Sequence, residues 1–178
     1  ETISSDEGQL VSEIGTFIAG GFDTTGYTLS TTLTLLAQHP EIAQKVRDAQ
    51  SKLEHPDKEV SDYLRCVMKE TRRFLTVAAM GTSRQFSTPL SLGKYVIPAN
   101  AIILMPQMVP HRDAHVYAPD PDVFRPERWM DASKEMNESL LTFALGTRNC
   151  VGQALAVSEL DSVLPRLLTS YEFTVEEE

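Results

Sequence analysis

Ten consecutive residues, Phe143-Ala-Leu-Gly146-Thr-Arg148-Asn-Cys150-Val-Gly152, bring a thiol, a guanidinium, an aromatic ring and two glycines into one stretch. A thiolate is an electron-rich metal ligand, and a heme iron that must cleave the O–O bond of dioxygen benefits from one. The stretch has the means to support that ligand. A helical pattern starts just after Cys150, and free backbone N–H groups with the positive end of the helix dipole favour a deprotonated sulfur. Gly146 and Gly152 let the backbone pass close to a porphyrin where a side chain would clash. Arg148 can meet a heme propionate in a forked, charge-assisted pair, and Phe143 can cover the sulfur against water. A buried, inert cysteine in a turn is the usual fate of a lone cysteine, but it leaves the glycines, Arg148 and Phe143 without a shared purpose. The other cysteine, Cys66, sits in a helical pattern beside Val67 and reads as core.

A second constellation is Gly20-Gly21-Phe22-Asp23-Thr24-Thr25, placed in the middle of a helical pattern. Each of two adjacent glycines there costs about 1 kcal/mol relative to alanine, so something should require them. A threonine hydroxyl can bond back to the carbonyl one turn earlier and open the ladder locally. Small residues beside such an opening leave room for a diatomic ligand, and Asp23 with Thr24 can deliver protons to it as general-acid partners. The bland alternative is helix–helix packing through small residues, with Asp23 in solvent. A third pair, Glu70 and Arg73, stands one helical turn apart, close enough to form an ion pair. Pairs of this kind are common on solvated helix faces.

The cysteine stretch resembles, at every fixed position, the Phe-x-x-Gly-x-Arg-x-Cys-x-Gly heme loop of the cytochrome P-450 superfamily. Five fixed residues would recur by chance in ~5 of a hundred thousand such chains, so the match is specific. The glycine-acid-threonine run is similar to the family's oxygen-activation motif. The resemblance covers about Gly8 to Val175 and implies a heme b cofactor with Cys150 as axial iron ligand, O2 as co-substrate, and Asp23 and Thr24 as catalytic residues. Phe143, Gly146, Arg148 and Gly152 are implied as cofactor-binding. Arg84, which follows the third helix, resembles the strand arginine that contacts a propionate, on a looser match. The family also joins its Glu-x-x-Arg pair to an arginine of a Pro-Glu-Arg segment. Phe124-Arg125-Pro126-Glu127-Arg128-Trp129 stands in the expected place, which implies a structural triad of Glu70, Arg73 and Arg128. His111-Arg112-Asp113 resembles a common family segment and reads as structural. One departure is the replacement of prolines common after the Glu-x-x-Arg helix by Phe74-Leu75-Thr76-Val77-Ala78-Ala79-Met80, which hints at a non-polar substrate.

These residues need elements to hold them. Apolar residues Leu10, Ile14, Phe17, Ile18, Phe22, Leu29, Leu33 and Leu36 follow at near-helical intervals. Ser4 to Glu7 has capping-box spacing, and Pro40 ends the pattern. This predicts one helix of about 30 residues, roughly 45 Å long, of the kind that crosses the middle of a larger domain. Pro40 opens a second helix to about Leu53, and a third covers about Ser61 to Phe74. Strands are expected at Thr82–Phe86, Tyr95–Ile97 and Ala101–Met105. Residues 106–138 read as long and mostly irregular, which usually means function or specific contacts. The last helix starts after Cys150, with Pro165 expected to kink or break its rear half, and Tyr171–Val175 is a candidate terminal strand. The fold class is therefore mainly α with small β-sheets: the C-terminal part of the P-450 fold, from the long central helix to the last one.

The 178 residues are 42% hydrophobic and 23% charged, an ordinary globular composition. A net charge of −9 argues against a nucleic-acid-binding surface. No apolar run approaches the ~18 residues of a membrane span. The first residue is Glu1, and residues 1–178 are expected to be a single partial domain whose N-terminal half is absent, any membrane anchor lying outside it. The leading expectation is a heme-dependent monooxygenase acting on a small organic substrate with electrons from a reductase or ferredoxin. It would sit at the endoplasmic reticulum membrane in a eukaryote and in the cytoplasm of a bacterium. Two alternatives stand beside it: a heme-thiolate isomerase or dehydratase acting on peroxides, whose members often alter the acid–alcohol pair that is intact here, and a non-catalytic truncated fragment.

Overall fold

The computed structural model describes residues 7–176, so Ser4 of the capping-box pattern lies outside the described residues. Helix α1 (Glu7–Gln38) runs unbroken for 32 residues, across Gly20 and Gly21. Along it, Thr16, Thr24, Thr28, Thr31, Thr32 and Thr34 each donate a hydroxyl hydrogen to the carbonyl four residues earlier. The back-bond expected of Thr24 is among them, 2.8 Å from Gly20 O, yet the ladder does not open there. A carbonyl oxygen has two lone pairs, and the hydroxyl takes the second without displacing the helical N–H.

Helix α2 (Pro40–Gln50) starts on its proline and stops short of Leu53. The reason is Gln50, which is buried and donates to Pro56 O and Glu59 O while accepting the Ser61 N–H. That amide fixes the turn. Helix α3 (Asp62–Phe74) is capped by Ser61, whose Oγ accepts the Leu64 N–H. Its inward face carries Leu64, Val67 and Met68 as well as Glu70 and Arg73. Leu35 and Leu36 of α1, Ile42 and Val46 of α2, and Phe124 close the main core around it. A smaller cluster holds Cys66, Tyr117 and Trp129.

Strands β1 (Thr82–Gln85) and β4 (Ile102–Met105) pair antiparallel, Thr82 opposite Met105. Gly81 feeds this ladder at φ +65°, where a Cβ would lie 1.9 Å from Met105 O. Strand β2 (Leu90–Leu92), which the sequence pattern did not reveal, pairs with β3 (Tyr95–Ile97) in a second antiparallel hairpin. The segment after β4 contains 3-10 turns at Pro110–Arg112 and Pro126–Trp129 and a short helix α4 (Lys134–Glu138).

Helix α5 (Gln153–Ser170) does not break at Pro165: it continues to Ser170. The proline removes one ladder bond, but Leu160, Leu164, Pro165 and Leu168 are all buried. Burying each large side chain contributes about 2 kcal/mol, which offsets a helix-interior proline at ~3 kcal/mol. The terminal strand is also corrected. Tyr171 has extended backbone angles, but among the described residues nothing pairs with Tyr171–Val175, and a strand exists only with a partner.

Candidate active site

Glu70 lies at the centre of a buried ion set. Arg73 Nε reaches Glu70 Oε2 at 2.9 Å and Arg73 Nη2 reaches Oε1 at 2.8 Å. Arg128 Nε donates to Oε1 at 3.0 Å. Sequence reasoning missed two further donors, the Arg125 backbone N–H on Oε1 and the Trp129 indole on Oε2. A buried indole is donor-only and needs an acceptor, which was the available signal. Burial alone would raise the Glu70 carboxyl, but the hydrogen bonds and charges of Arg73, Arg125 N–H and Arg128 outweigh it and hold the group below the ordinary carboxylate range. The two arginines bring one positive charge too many, and backbone carbonyls absorb it. Arg73 donates to His111 O, Pro121 O and Val123 O, and Arg128 to Tyr117 O, Asp120 O and Val123 O. Thus α3 pins the irregular segment that follows β4.

Cys150 is a free, exposed thiol in the turn leading into α5. Its backbone N–H bonds Phe143 O at 2.8 Å, and its carbonyl accepts the Gln153 N–H. The loop between is shaped by Ala144 and Gly146, both at positive φ, and by a 3-10 turn at Gly146–Arg148. A Cβ on Gly146 would meet nothing within 4 Å, whereas one on Gly152 would sit 3.9 Å from Cys150 Sγ. The Phe143 ring is half-buried and faces the Arg72 guanidinium, 5.6 Å from its centroid. Burial pulls the Arg72 pKa down, against Asp161 on α5, which raises it. Arg148 is exposed at the loop's tip.

On α1, Asp23 joins Tyr27 and Thr31 in the wall of a cavity of about 500 Å³. The opposite wall comes from the chain after α3, including Leu75, Val77 and Ala79, with Met108. Gly20 and Gly21 face open space. Arg84 is half-buried on β1 and donates to Ser83 O. Among the described residues, no hydrogen bond or ion pair links Asp23 or Thr24 to the cysteine loop, nor Arg84 to Arg148. The triad meets directly; the remaining candidates occupy separate elements.

Residues 3–178 match the family described as Cytochrome P450. The chain belongs to the cytochrome P450 family. It is 36% identical to a probable cytochrome P450 4s3 of Drosophila melanogaster, covering 90% of this chain and 32% of that protein. A putative cytochrome P450 CYP13A10 of Caenorhabditis elegans is 30% identical, over 94% of this chain and 34% of its own length. The chain thus spans about a third of the length of the curated relatives it matches.

Cytochromes P450 hold heme through a cysteine thiolate, and the donor set of this chain fits that demand. Cys66 is buried and Cys150 exposed, so one thiol is open to a ligand. Among the described residues, no group of three or more His, Cys, Asp or Glu side chains could enclose a bare metal ion. A single thiolate is what an axial heme ligand supplies. No helix among the described residues is long and apolar enough to cross a membrane.

Proposed function

We propose that this chain is the heme-ligating part of a single P450 catalytic domain, whose reaction is monooxygenation of a small, non-polar organic substrate. The observation that carries the reading is the exposed Cys150 thiol at the entry to α5, in a loop shaped by Gly146 and spaced by Gly152. Bound heme would supply the chemistry that splits O2: with two electrons and two protons, one oxygen atom enters a C–H or C=C bond and the other leaves as water. Cys150 gives its sulfur to the iron, and Arg148 and Arg84 offer guanidinium forks to the propionates. On α1, the Thr24 hydroxyl donates to Gly20 O, which leaves the Thr24 Oγ1 lone pairs free to accept a hydrogen bond. Asp23, at the edge of the cavity, moves protons inward from solvent. Apolar Leu75, Val77, Ala79 and Met108 in the opposite wall support a non-polar substrate. Electrons come from a reductase or ferredoxin. The animal relatives favour the endoplasmic reticulum membrane of the two locations considered.

The intact Asp23–Thr24 pair favours oxygenation over peroxide rearrangement, which has no need of delivered protons. Cys150→Ser in the heme-loaded protein tests the ligand. The expected result is loss of the thiolate-type absorption of the reduced, CO-bound form. An unchanged spectrum removes Cys150 as ligand and the reading with it.

A further inference from the structure

His111 is fully buried between three elements and takes no part in the chemistry above. Its Nε2 lies 2.8 Å from the Leu141 backbone nitrogen, and its Nδ1 lies 2.7 Å from Thr76 Oγ1. A backbone N–H can only donate, so Nε2 is the bare nitrogen and the ring proton sits on Nδ1. Thr76 accepts that proton's hydrogen bond and passes its own hydroxyl hydrogen to Arg72 O or Arg73 O at the end of α3. The His111 carbonyl accepts from Arg73 Nη1. One residue therefore joins the ion set, the end of α3 and Leu141.

Leu141 is where the cysteine loop begins. Its carbonyl accepts the Ala144 N–H, and Phe143 O accepts the Cys150 N–H. The path from His111 to the sulfur-bearing residue is thus one short turn, Leu141 to Ala144, followed by the longer loop that the Phe143 O to Cys150 N–H bond closes. We propose that His111 is a positioning residue for the heme thiolate, its neutral Nδ1–H tautomer clamping the start of the Cys150 loop through the Leu141 N–H. The inference rests on Cys150 being the iron ligand. Burial and the nearby charges of Arg73 and Arg112 hold the ring neutral, its pKa pushed down to about 4. Among the described residues, no carboxylate bonds the ring; Glu70 is occupied by Arg73 and Arg128. A proton on Nε2 would leave the Leu141 N–H facing another donor and place a third cation beside two arginines.

The test uses the heme-loaded protein. With 15N-labelled histidine in the diamagnetic reduced, CO-bound form, His111 should show a protonated Nδ1 and a bare Nε2 at neutral pH. The opposite tautomer or an imidazolium overturns the proposal, whatever the variants do. His111→Leu should raise hydrogen exchange at the Leu141 amide about tenfold or more. It should also move the conversion from thiolate-type to thiol-type CO spectrum to a higher pH. His111→Gln, which keeps an acceptor for Leu141, should restore both. Heme-loaded His111→Leu protein with unchanged exchange and an unchanged conversion pH overturns it too. Leu141 exchange does not depend on the iron ligand, so failure of the Cys150→Ser test remains distinguishable from failure of the clamp.

Discussion

Glu70 receives five donors on two oxygens: two from Arg73, one from Arg128, one from the Trp129 indole and one from the Arg125 N–H. A carboxylate has about four lone-pair sites, so its capacity is filled, and a neutral amide cannot replace it. Glu70→Gln turns an acceptor into a donor facing donors and leaves two buried guanidiniums short of charge. We expect a loss of about 3–5 kcal/mol, read as a lower denaturant midpoint and poor heme retention. Trp129→Phe removes one neutral donor and should cost about 1–2 kcal/mol. Equal effects would mean that packing, not charge, holds the set. At this scale the sequence spoke unevenly. Glu70, Arg73 and Arg128 were legible because a spacing and a neighbouring tripeptide mark them. The Arg125 N–H was not, because a backbone group leaves no trace in residue type, and His111 gave its type but not the two partners it bridges.

Elements were legible where period and punctuation agreed. α1 was readable from its apolar spacing and Pro40, and α3 from the helical spacing of Leu64, Val67, Met68 and Thr71 on one face. Pro165 misled because a local rule was outweighed by the burial of α5's leucines. Tyr171–Val175 misled because strand formation depends on a partner, which no single segment encodes. Gly81 shows where backbone geometry rules. Any side chain there meets Met105 O, at a φ that L residues avoid, so Gly81→Ala must part β1 from β4. We expect at least about 3 kcal/mol of destabilisation in chemical denaturation. Gly93→Ala, at φ +58° but with open space around it, should cost about 1–2 kcal/mol. A Gly81 variant no worse than the Gly93 one would show that the sheet yields freely.

For the molecule as a whole, His111 sets a pH response. Its folded pKa of about 4 lies below the ordinary ~6.5, so the unfolded chain binds the proton first. Stability is complete above pH ~6.5 and falls as the pH drops towards 4, by about 2 kcal/mol at pH 5. Glu70, held below the carboxylate range, adds a further loss only at more acid pH. Denaturant midpoints at pH 7 and pH 5 should therefore differ in wild type and converge in His111→Gln; parallel shifts would place the titration elsewhere. The outer half of α1 makes a second large-scale feature. Leu10, Ile14, Ile18 and Phe22 follow at four-residue spacing with Phe17 between, all exposed, forming one apolar face. Contiguous apolar surface of that kind promotes association. Residues 1–178 expressed alone should sediment as concentration-dependent oligomers, and Phe17→Glu should shift them towards monomer. A monodisperse monomer at every concentration would contradict the exposed face.

The six back-bonded threonines of α1 have an evolutionary consequence. Each spends its hydroxyl hydrogen on its own helix, so no neighbouring element receives that hydrogen, much as if a valine stood there. Lineages can drift between threonine and valine at most of these sites with little selective penalty, since no outside partner loses a bond. On the proposed function Thr24 is the exception, because there the oxygen rather than the methyl would carry the value of the residue, and purifying selection should act on that one position while its helical neighbours wander.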